Sequence, residues 1–249
     1  MTKNNSQNLP PLTPTSKPEK IGQSKVWIFD LDNTLYPAKC NLFAEVDKRM
    51  GAFISQELGV PLPYARQLQK SYYRQFGTTL AGLMHVHKIK PQPFLEYVHD
   101  IDISVIPEAP ELREAIYRLP GRKIIFTNGS RAHAERVSRR LGILDLFEGI
   151  TDIVTCNYEP KPSAAAFDTM IKKHGVLPHQ SAMFEDLPQN LKVPHQLGMS
   201  TVLVLCSSQN HPDREEKWFS TQVPDHVHYQ TEELSLFLNS IEIKNEAGS

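Results

Sequence analysis

The chain has 249 residues, of which 40% are hydrophobic, so it is long enough for one large domain or for a core with a smaller second domain. Its 27 basic and 28 acidic residues give a formal net charge of -1, which excludes a global field that would gather nucleic acid polymers or an anionic membrane. Because the sequence has no apolar run of membrane-spanning length and no signal peptide, we expect a soluble, cytoplasmic protein.

The predicted elements follow residues 1–23, whose content of Pro, Ser, Thr, Asn and Lys predicts a disordered tail. Short apolar runs that end on polar residues then predict buried strands at 26–30, 123–128, 152–156, 181–186 and 200–205. Amphipathic stretches predict helices at 131–141, 163–174 and 187–197. Strands that alternate with helices indicate an α/β fold with a doubly wound parallel sheet, which binds ligands at the carboxyl ends of its strands.

The interval 40–106 breaks this alternation, since segments with helical apolar spacing follow one another there without a convincing core strand. We interpret it as a helical cap that is inserted directly after the first strand. The α/β catalytic core would then comprise 24–39 and 107–249. Near the carboxyl end, the segment 231–243 predicts a surface helix with a frayed end.

Two carboxylates, Asp30 and Asp32, follow the first predicted strand in the sequence DLDNT, with Thr34 behind them. Alternation in an extended segment would aim both carboxylates to one side, where one could attack phosphorus and the other could exchange a proton with the leaving oxygen. Taken alone, an Asp-x-Asp pair also suits a calcium loop, a magnesium site or a solvated turn.

Three further places in the sequence carry polar or charged residues that could belong to the same site. In TNGS at 127–130, a hydroxyl at a strand end precedes a helix N-terminus, which attracts phosphate oxygens, although an ordinary turn and N-cap would look the same. Lys161 lies between two prolines, and by itself it could be a surface lysine. Glu185 and Asp186 close a buried strand, where they need cations or hydrogen-bond donors. Together these residues predict that a phosphate, a metal ion, an acid and a lysine converge at one sheet edge.

The ordered set DLDNT, FTN, a lone KP lysine and ED resembles the four motifs of the haloacid dehalogenase (HAD) superfamily, whose members mostly hydrolyse phosphate monoesters. The resemblance covers about 25–205 and implies a Rossmann-like core of the HAD type. It implies that Asp30 forms an aspartyl phosphate, while Asp32 acts as general acid and then as general base. Thr127 and Lys161 are implied to hold the phosphate, with Asn128 as a further substrate contact.

The same resemblance implies Mg²⁺ as the cofactor. Asp186 would help to ligate it, Asp30 would be a second ligand through its carboxylate, and Asp32 a third through its backbone carbonyl. Glu185 is implied as a direct or indirect partner of the metal. Dehalogenation is not expected, because Asp32 and Thr34 fit the phosphatase version of the first motif.

Within the superfamily, stretches such as LDNTLYP, YYRQFGTTLAGLM and GRKIIFTNGSRAHAERV are most similar to the pyrimidine 5'-nucleotidase group. That group removes phosphate from nucleoside monophosphates such as UMP and CMP, with a helical cap that selects the base. The sequence departs from the group at Leu187-Pro188, where a small residue usually follows the acid pair. The change could shift the loop behind the metal, although Asn190 still matches the group.

Aromatic and polar residues of the cap are candidates for facing the substrate, namely Tyr72, Tyr73, Thr78 and Thr79. A flat base gains from stacking on an aromatic ring, but tyrosines at helical spacing also occur as core packing. We expect a Mg²⁺-dependent phosphoric monoester hydrolase that acts on UMP and CMP. A sugar-phosphate phosphatase or phosphomutase remains an alternative, because a fold does not name the leaving group. The alternative from another class of protein is a catalytically silent protein that binds a phosphorylated ligand.

Overall fold

A parallel sheet lies at the centre of the computed structural model, which describes residues 21–205 and 223–243. Within these ranges six strands pair in the order β3-β2-β1-β4-β5-β6. They are β1 (Val26–Phe29), β2 (Arg122–Phe126), β3 (Gly149–Thr151), β4 (Ser181–Glu185), β5 (Ser200–Val204) and β6 (Tyr229–Thr231). All neighbouring strands run parallel. This order reverses between β1 and β4, which is where doubly wound sheets bind their ligands.

The central strands are buried throughout because helices cover both faces of the sheet. Every residue of β1, β4 and β5 is buried. On one face Phe29 stacks on Phe184 with ring centroids 4.6 Å apart, while Ile28 belongs to the apolar cluster on the other face. A strand that is buried on both faces has a nearly continuous run of apolar residues, whereas a strand that is buried on one face alternates apolar and polar residues. This confirms the predicted doubly wound parallel α/β fold.

The core has five α-helices within the described residues, one before β2 and four after it: α5 (Pro110–Tyr117), α6 (Arg131–Arg140), α7 (Ala164–His174), α8 (Lys192–Gln196) and α9 (Leu234–Ser240). The last of them packs on α5, and its Leu238 is fully buried. Arg118 holds the end of α9, since its guanidinium donates hydrogen bonds of 2.8 Å to the carbonyl oxygens of Leu238 and Asn239. The closing helix is therefore tied to the core through its C-terminal carbonyl groups.

Four α-helices lie between β1 and α5, in a stretch that is described throughout: α1 (Leu42–Leu58), α2 (Leu62–Phe76), α3 (Thr79–His87) and α4 (Pro91–His99). Gly59 and Gly77 end α1 and α2 with φ of 64° and 82°, a region that favours glycine. Thr78 caps α3 by accepting a hydrogen bond of 3.1 Å from the backbone N–H of Ala81. The helical character of this insertion agrees with the sequence pattern, and its role as a separate cap stays a proposal.

Three sequence predictions need correction. Residues 152–156 form turns instead of a strand, because the Asp152 carboxylate accepts hydrogen bonds of 3.0 Å from the backbone N–H groups of Thr155 and Arg131. The predicted helix at 187–197 is a 3₁₀ helix, Pro188–Leu191, followed by α8. The tail does not extend to 23, since Ile21–Gln23 forms a 3₁₀ helix that buries Ile21, and residues 1–20 lie outside the described ranges.

Two further details complete the fold. The edge strand β6 carries no strong apolar signal, because its three residues are exposed or half-buried, and the sequence pattern missed it. In the part of the chain that the structure describes, no helix has the length and apolar character that crossing a membrane requires.

Candidate active site

The segment DLDNT leaves the sheet at the carboxyl end of the central strand β1. Asp30 still follows the sheet pairing, since its backbone N–H donates a hydrogen bond of 2.9 Å to the Phe184 carbonyl oxygen in β4. The chain then turns, and Asn33 adopts a left-handed φ of 60°. Asp30 and Asp32 both line one cavity between the sheet edge and the helical insertion, as their alternation predicts.

Lys161 lies at the bottom of this cavity and is only 2% exposed. Its ammonium group donates hydrogen bonds of 2.7 Å to Asp30 Oδ1, 2.8 Å to Glu185 Oε1 and 2.7 Å to the Phe126 carbonyl oxygen. Burial alone would lower the pKa of this lysine, but the negative charges of Asp30 and Glu185 outweigh burial and raise it. Lys161 is therefore a buried cation whose three hydrogens all have acceptors, and not a surface lysine.

The Asn128 side chain holds the backbone of Lys161. Its Nδ2 donates to the Lys161 carbonyl oxygen at 3.2 Å, and its Oδ1 accepts from the Lys161 N–H at 2.8 Å. Both ends of the amide are thus engaged with one residue from another loop. The sequence suggested Asn128 as a substrate contact, whereas this geometry makes its side chain a positioning group for Lys161.

The acid pair after β4 is anchored by its own loop. Glu185 Oε1 accepts a second hydrogen bond from Asn190 Nδ2 at 2.7 Å, and Oε2 accepts one from the Leu187 N–H at 2.9 Å. Pro188 begins the following 3₁₀ helix. Proline has no backbone N–H, but the first N–H groups of a helix make no hydrogen bond within the helix, so none is lost here. The unusual Leu187-Pro188 sequence is therefore compatible with an ordered acid pair, and Asn190 helps to hold it.

Asp30, Glu185 and Asp186 form a buried acidic cluster, in which each offers a carboxylate oxygen within 4.8 Å of the others. Burial raises the pKa of Asp30 well above its usual range against the opposing charge of Lys161, and the negative charges of Glu185 and Asp186 raise it further. One lysine cannot neutralise three buried carboxylates. Because the donors are all hard oxygen atoms, the cluster fits Mg²⁺ as its cation.

The side chain of Asp32 has a different set of partners. Its Oδ1 accepts a hydrogen bond of 2.6 Å from the Tyr36 hydroxyl and lies 2.9 Å from His133 Nε2. Burial opposes ionisation of Asp32, but the charge and hydrogen bond of His133, the hydrogen bond of Tyr36 and the charge of His99 together lower its pKa. The ring of His99 stacks on His133 with centroids 4.3 Å apart. The sequence patterns did not identify Tyr36, His133 or His99, although Tyr36 and His133 lie in the quoted stretches LDNTLYP and GRKIIFTNGSRAHAERV.

The loop after β2 lines the same cavity with Thr127, Asn128 and Gly129. The Thr127 hydroxyl oxygen accepts a hydrogen bond of 2.9 Å from the Gly129 N–H, which leaves the hydroxyl hydrogen to donate. Ser130 caps α6 by accepting a hydrogen bond of 3.3 Å from the His133 N–H. The helix N-terminus and the threonine hydroxyl therefore lie together at the sheet edge, as an anion-binding loop requires.

Comparison with known proteins agrees with this arrangement, since residues 25–198 match the model of the haloacid dehalogenase-like hydrolase family. The chain belongs to this family of hydrolases. It is 30% identical over 223 residues to Phosphate metabolism protein 8 of Saccharomyces cerevisiae, a match that covers 81% of this chain and 67% of that protein.

Solved structures of other HAD proteins share the fold of this hydrolase at low sequence identity. The HAD hydrolase YfnB from Bacillus subtilis, solved with bound magnesium, aligns with a TM-score of 0.57 and 15% identity over 89% of this chain and 100% of that chain. A HAD phosphatase from Thermococcus onnurineus aligns with a TM-score of 0.55 and 18% identity over 83% of this chain and 92% of that chain.

The helical insertion of the hydrolase closes one side of the cavity. Tyr73, Thr78 and Thr79 line it, as do apolar side chains from α1, α3 and α4, namely Phe43, Val46, Met50, Leu80, Phe94, Leu95 and Val98. Gln189 Nε2, next to the acid pair, donates a hydrogen bond of 3.2 Å to the Tyr73 hydroxyl. The structure thus brings three of the four suggested insertion residues to the cavity.

Tyr72 is the suggested residue that does not line the cavity. Its side chain is buried inside the insertion, its hydroxyl lies 2.6 Å from His87 Nε2, and its ring packs edge-on against Phe76. A Cβ added to Gly82 would lie 2.3 Å from the Tyr72 Cβ, so α3 approaches α2 very closely at this ring. Tyr72 therefore belongs to the packing between two helices, and its suggested contact with substrate is not supported.

Proposed function

We propose that this hydrolase is a Mg²⁺-dependent phosphatase that transfers the phosphoryl group of its substrate to Asp30. The observation that carries the proposal is the position of Lys161, which joins Asp30 and Glu185 at the point where the strand order reverses. A buried cation next to a carboxylate and an anion-binding loop suits a phosphate group more than a neutral substrate. The name of the yeast relative, which refers to phosphate metabolism, also supports it.

The proposed reaction has two steps. The Asp30 carboxylate attacks phosphorus in line, the bond from phosphorus to the ester oxygen breaks, and that oxygen leaves with a proton from Asp32. The Asp32 carboxylate then takes a proton from water, whose oxygen attacks the phosphorus of the aspartyl phosphate. Inorganic phosphate leaves, and Asp30 is restored. Thr127 would donate a hydrogen bond to a phosphoryl oxygen, and the positive charge of Lys161 would attract the phosphoryl oxygens through both steps.

Asp30, Asp186 and the Asp32 backbone carbonyl are the proposed ligands of the metal. Glu185 is better suited to an indirect role, because its oxygens already accept hydrogen bonds from Lys161, Asn190 and Leu187. Bound Mg²⁺ would offset the negative charge that Asp30 and a phosphate bring together.

For the substrate we propose pyrimidine nucleoside 5'-monophosphates such as UMP and CMP. The apolar wall of the cavity, with Tyr73 beside it, suits the faces of a planar base. A sugar phosphate would instead place several hydroxyl groups against apolar side chains, which leaves their hydrogen bonds unmade. The similarity of the YYRQFGTTLAGLM segment to the nucleotidase group points the same way.

Phosphate release from a panel of nucleotides, sugar phosphates and an aryl phosphate, with Mg²⁺ present, tests this proposal. UMP and CMP should have the highest kcat/KM. Asp30→Asn should abolish turnover without unfolding the protein, because the amide is nearly isosteric but is a far weaker nucleophile. Asp168→Asn, which changes a half-buried aspartate on α7 that pairs with Lys172, is the matched control. More than a few per cent of parent activity in pure Asp30→Asn protein would rule out Asp30 as the nucleophile, and a preference for sugar phosphates would overturn the substrate proposal alone.

A further inference from the structure

The two oxygens of the Asp32 carboxylate have unequal surroundings. Oδ1 meets both the Tyr36 hydroxyl, at 2.6 Å, and His133 Nε2, at 2.9 Å. Among the residues that the structure describes, none donates a hydrogen bond to Oδ2, and Asp32 lines the cavity in which the substrate is proposed to bind. We infer that His133 is a positioning residue, which, together with Tyr36, holds Oδ1 so that Oδ2 is the atom that exchanges protons with the substrate and with water.

The hydrogen of this contact belongs to the imidazole. An ionised carboxylate has only acceptor sites, so His133 Nε2 must carry the hydrogen and donate it to Asp32 Oδ1. Tyr36 donates in the same way, because its hydroxyl oxygen lies 2.6 Å from Asp32 Oδ1 and a neutral phenol carries one hydrogen to donate. Two donors on one oxygen restrict rotation of the carboxylate about its last side-chain bond.

His133 can impose an orientation because its own ring is fixed. Its side chain is fully buried, and its backbone N–H is tied to Ser130 Oγ at the start of α6. His99 covers one face of the ring at an interplanar angle of 13°, and His99 Nδ1 lies 3.0 Å from the same Ser130 Oγ. A Cβ added to Gly129 would lie 3.4 Å from His133 Cδ2, so the loop also packs closely on the ring.

The support for His99 comes from α6 as well. Arg136 donates hydrogen bonds of 2.8 Å and 2.9 Å to the carbonyl oxygens of His99 and Ile101, where α4 ends. The stack of His99 on His133 therefore joins the last turn of the helical insertion to the first turn of α6. The orientation of Asp32 consequently depends on residues from three separate segments, centred on 32–36, 99 and 130–136.

This inference rests on the proposed role of Asp32 as general acid and base. In the first step Oδ2 gives its proton to the ester oxygen as the bond to phosphorus breaks, and in the second step it takes one from the attacking water. A carboxylate that could turn would present the wrong oxygen or miss the reacting atom. Misplacement of a reacting group by about 1 Å lowers a rate by about a hundredfold, and substrate binding need not change.

Two substitutions of His133 separate its hydrogen bond from its shape. His133→Phe keeps a ring that can stack on His99 but removes the donor, whereas His133→Gln keeps a donor near the position of Nε2 but loses the ring. For UMP we expect the phenylalanine variant to lower kcat by about 10- to 100-fold, with KM within about twofold of the parent. The glutamine variant should regain most of this loss. A residue that served only the fold would affect both variants alike.

A rapid-mixing experiment gives a second readout. An aryl phosphate with an acidic phenol needs little protonation to leave, so the phenylalanine variant should release one equivalent of phenol quickly and then turn over slowly. Unchanged kcat in a folded phenylalanine variant, or equal losses in both variants, would overturn the inference. If the phenylalanine variant does not fold, the glutamine variant alone tests the inference. A kcat of His133→Gln as low as that of Asp32→Asn would contradict the role of His133.

The same assay separates this inference from the proposed function. A parent protein that releases no phosphate from any member of the substrate panel would overturn both. An active parent that is stopped by Asp30→Asn but unaffected by His133→Phe would leave the phosphatase proposal intact and overturn the role of His133 alone.

Discussion

Lys161 Nζ and Asp30 Oδ1 lie 2.7 Å apart in the interior of the protein, although 131 positions separate the two residues in the sequence. The same ammonium group contacts Glu185, so one cation is shared by two buried carboxylates. Removing one partner of a buried ionic network leaves the remaining charges uncompensated, which costs far more than the loss of a surface pair.

We therefore predict that Lys161→Met lowers the free energy of unfolding of the metal-free protein by about 3 to 5 kcal/mol, as measured by urea denaturation. Added Mg²⁺ should restore part of this loss by supplying a cation to the acidic cluster. Lys172→Met is the control, because Lys172 forms a surface pair with Asp168 and its side chain is 75% exposed. The shared-cation interpretation is wrong if both variants lose the same stability.

Metal dependence is a second prediction, based on the buried cluster of Asp30, Glu185 and Asp186. Chelation should stop phosphate release, and Mg²⁺ should restore it. Because a ligand that binds only the folded state stabilises it, Mg²⁺ at about a hundred times its Kd should add about 2.7 kcal/mol to the free energy of unfolding. Calorimetry of the parent, of Asp186→Asn and of the surface variant Asp168→Asn measures this, and only Asp186→Asn should lose the effect. A thoroughly chelated protein that keeps its rate would disprove the dependence.

The different surroundings of Tyr72 and Tyr73 lead to a third prediction. Tyr73→Ala should lower kcat/KM for UMP by about ten- to a hundredfold, since loss of one stacking partner is worth roughly 1 to 3 kcal/mol, and should hardly affect a small aryl phosphate. Tyr72→Ala should instead lower the melting temperature and reduce both activities alike, because it removes packing between α2 and α3. Equal losses on both substrates for Tyr73→Ala would show that it does not contact the base.

The buried His99 predicts a dependence of stability on pH. Burial, together with the charge of His133, lowers the pKa of His99 from 6.5 to about 3. Below pH 6.5 the unfolded chain takes up a proton that the folded protein does not, so the contribution of His99 to stability falls as the pH decreases from 6.5 towards 3.

His99→Phe, which keeps a ring against His133, tests this dependence. Between pH 7 and pH 5 the free energy of unfolding of the parent should fall by about 2 kcal/mol more than that of the variant, because one proton corresponds to about 1.4 kcal/mol per pH unit. Urea denaturation at several pH values measures the difference. The same substitution at the exposed His85 is the control. Parallel pH curves for the parent and His99→Phe would contradict the prediction.

Local sequence patterns were sufficient to predict the class of the fold and the sheet edge at which the candidate site lies. Apolar runs such as 26–29 and 182–184 are typical of strands that are buried on both faces, and an acid residue directly follows each of them. These are local patterns, so they can be read without knowledge of the rest of the chain. The order of the four motifs depends on residue identity alone, and it led to the family that the comparisons established.

Which side chains meet depends on how distant segments of the chain pack together. Asn128 engages the backbone of Lys161, and His133 contacts Asp32 across 101 positions, because helices and loops from distant segments pack at one sheet edge. Local patterns also misled at 152–156, where the Asp152 side chain accepts a hydrogen bond from the Thr155 N–H, a group that a strand would have used. Which of two adjacent tyrosines faces the cavity depends on the rotation of α2 against α3, and packing between the helices sets that rotation.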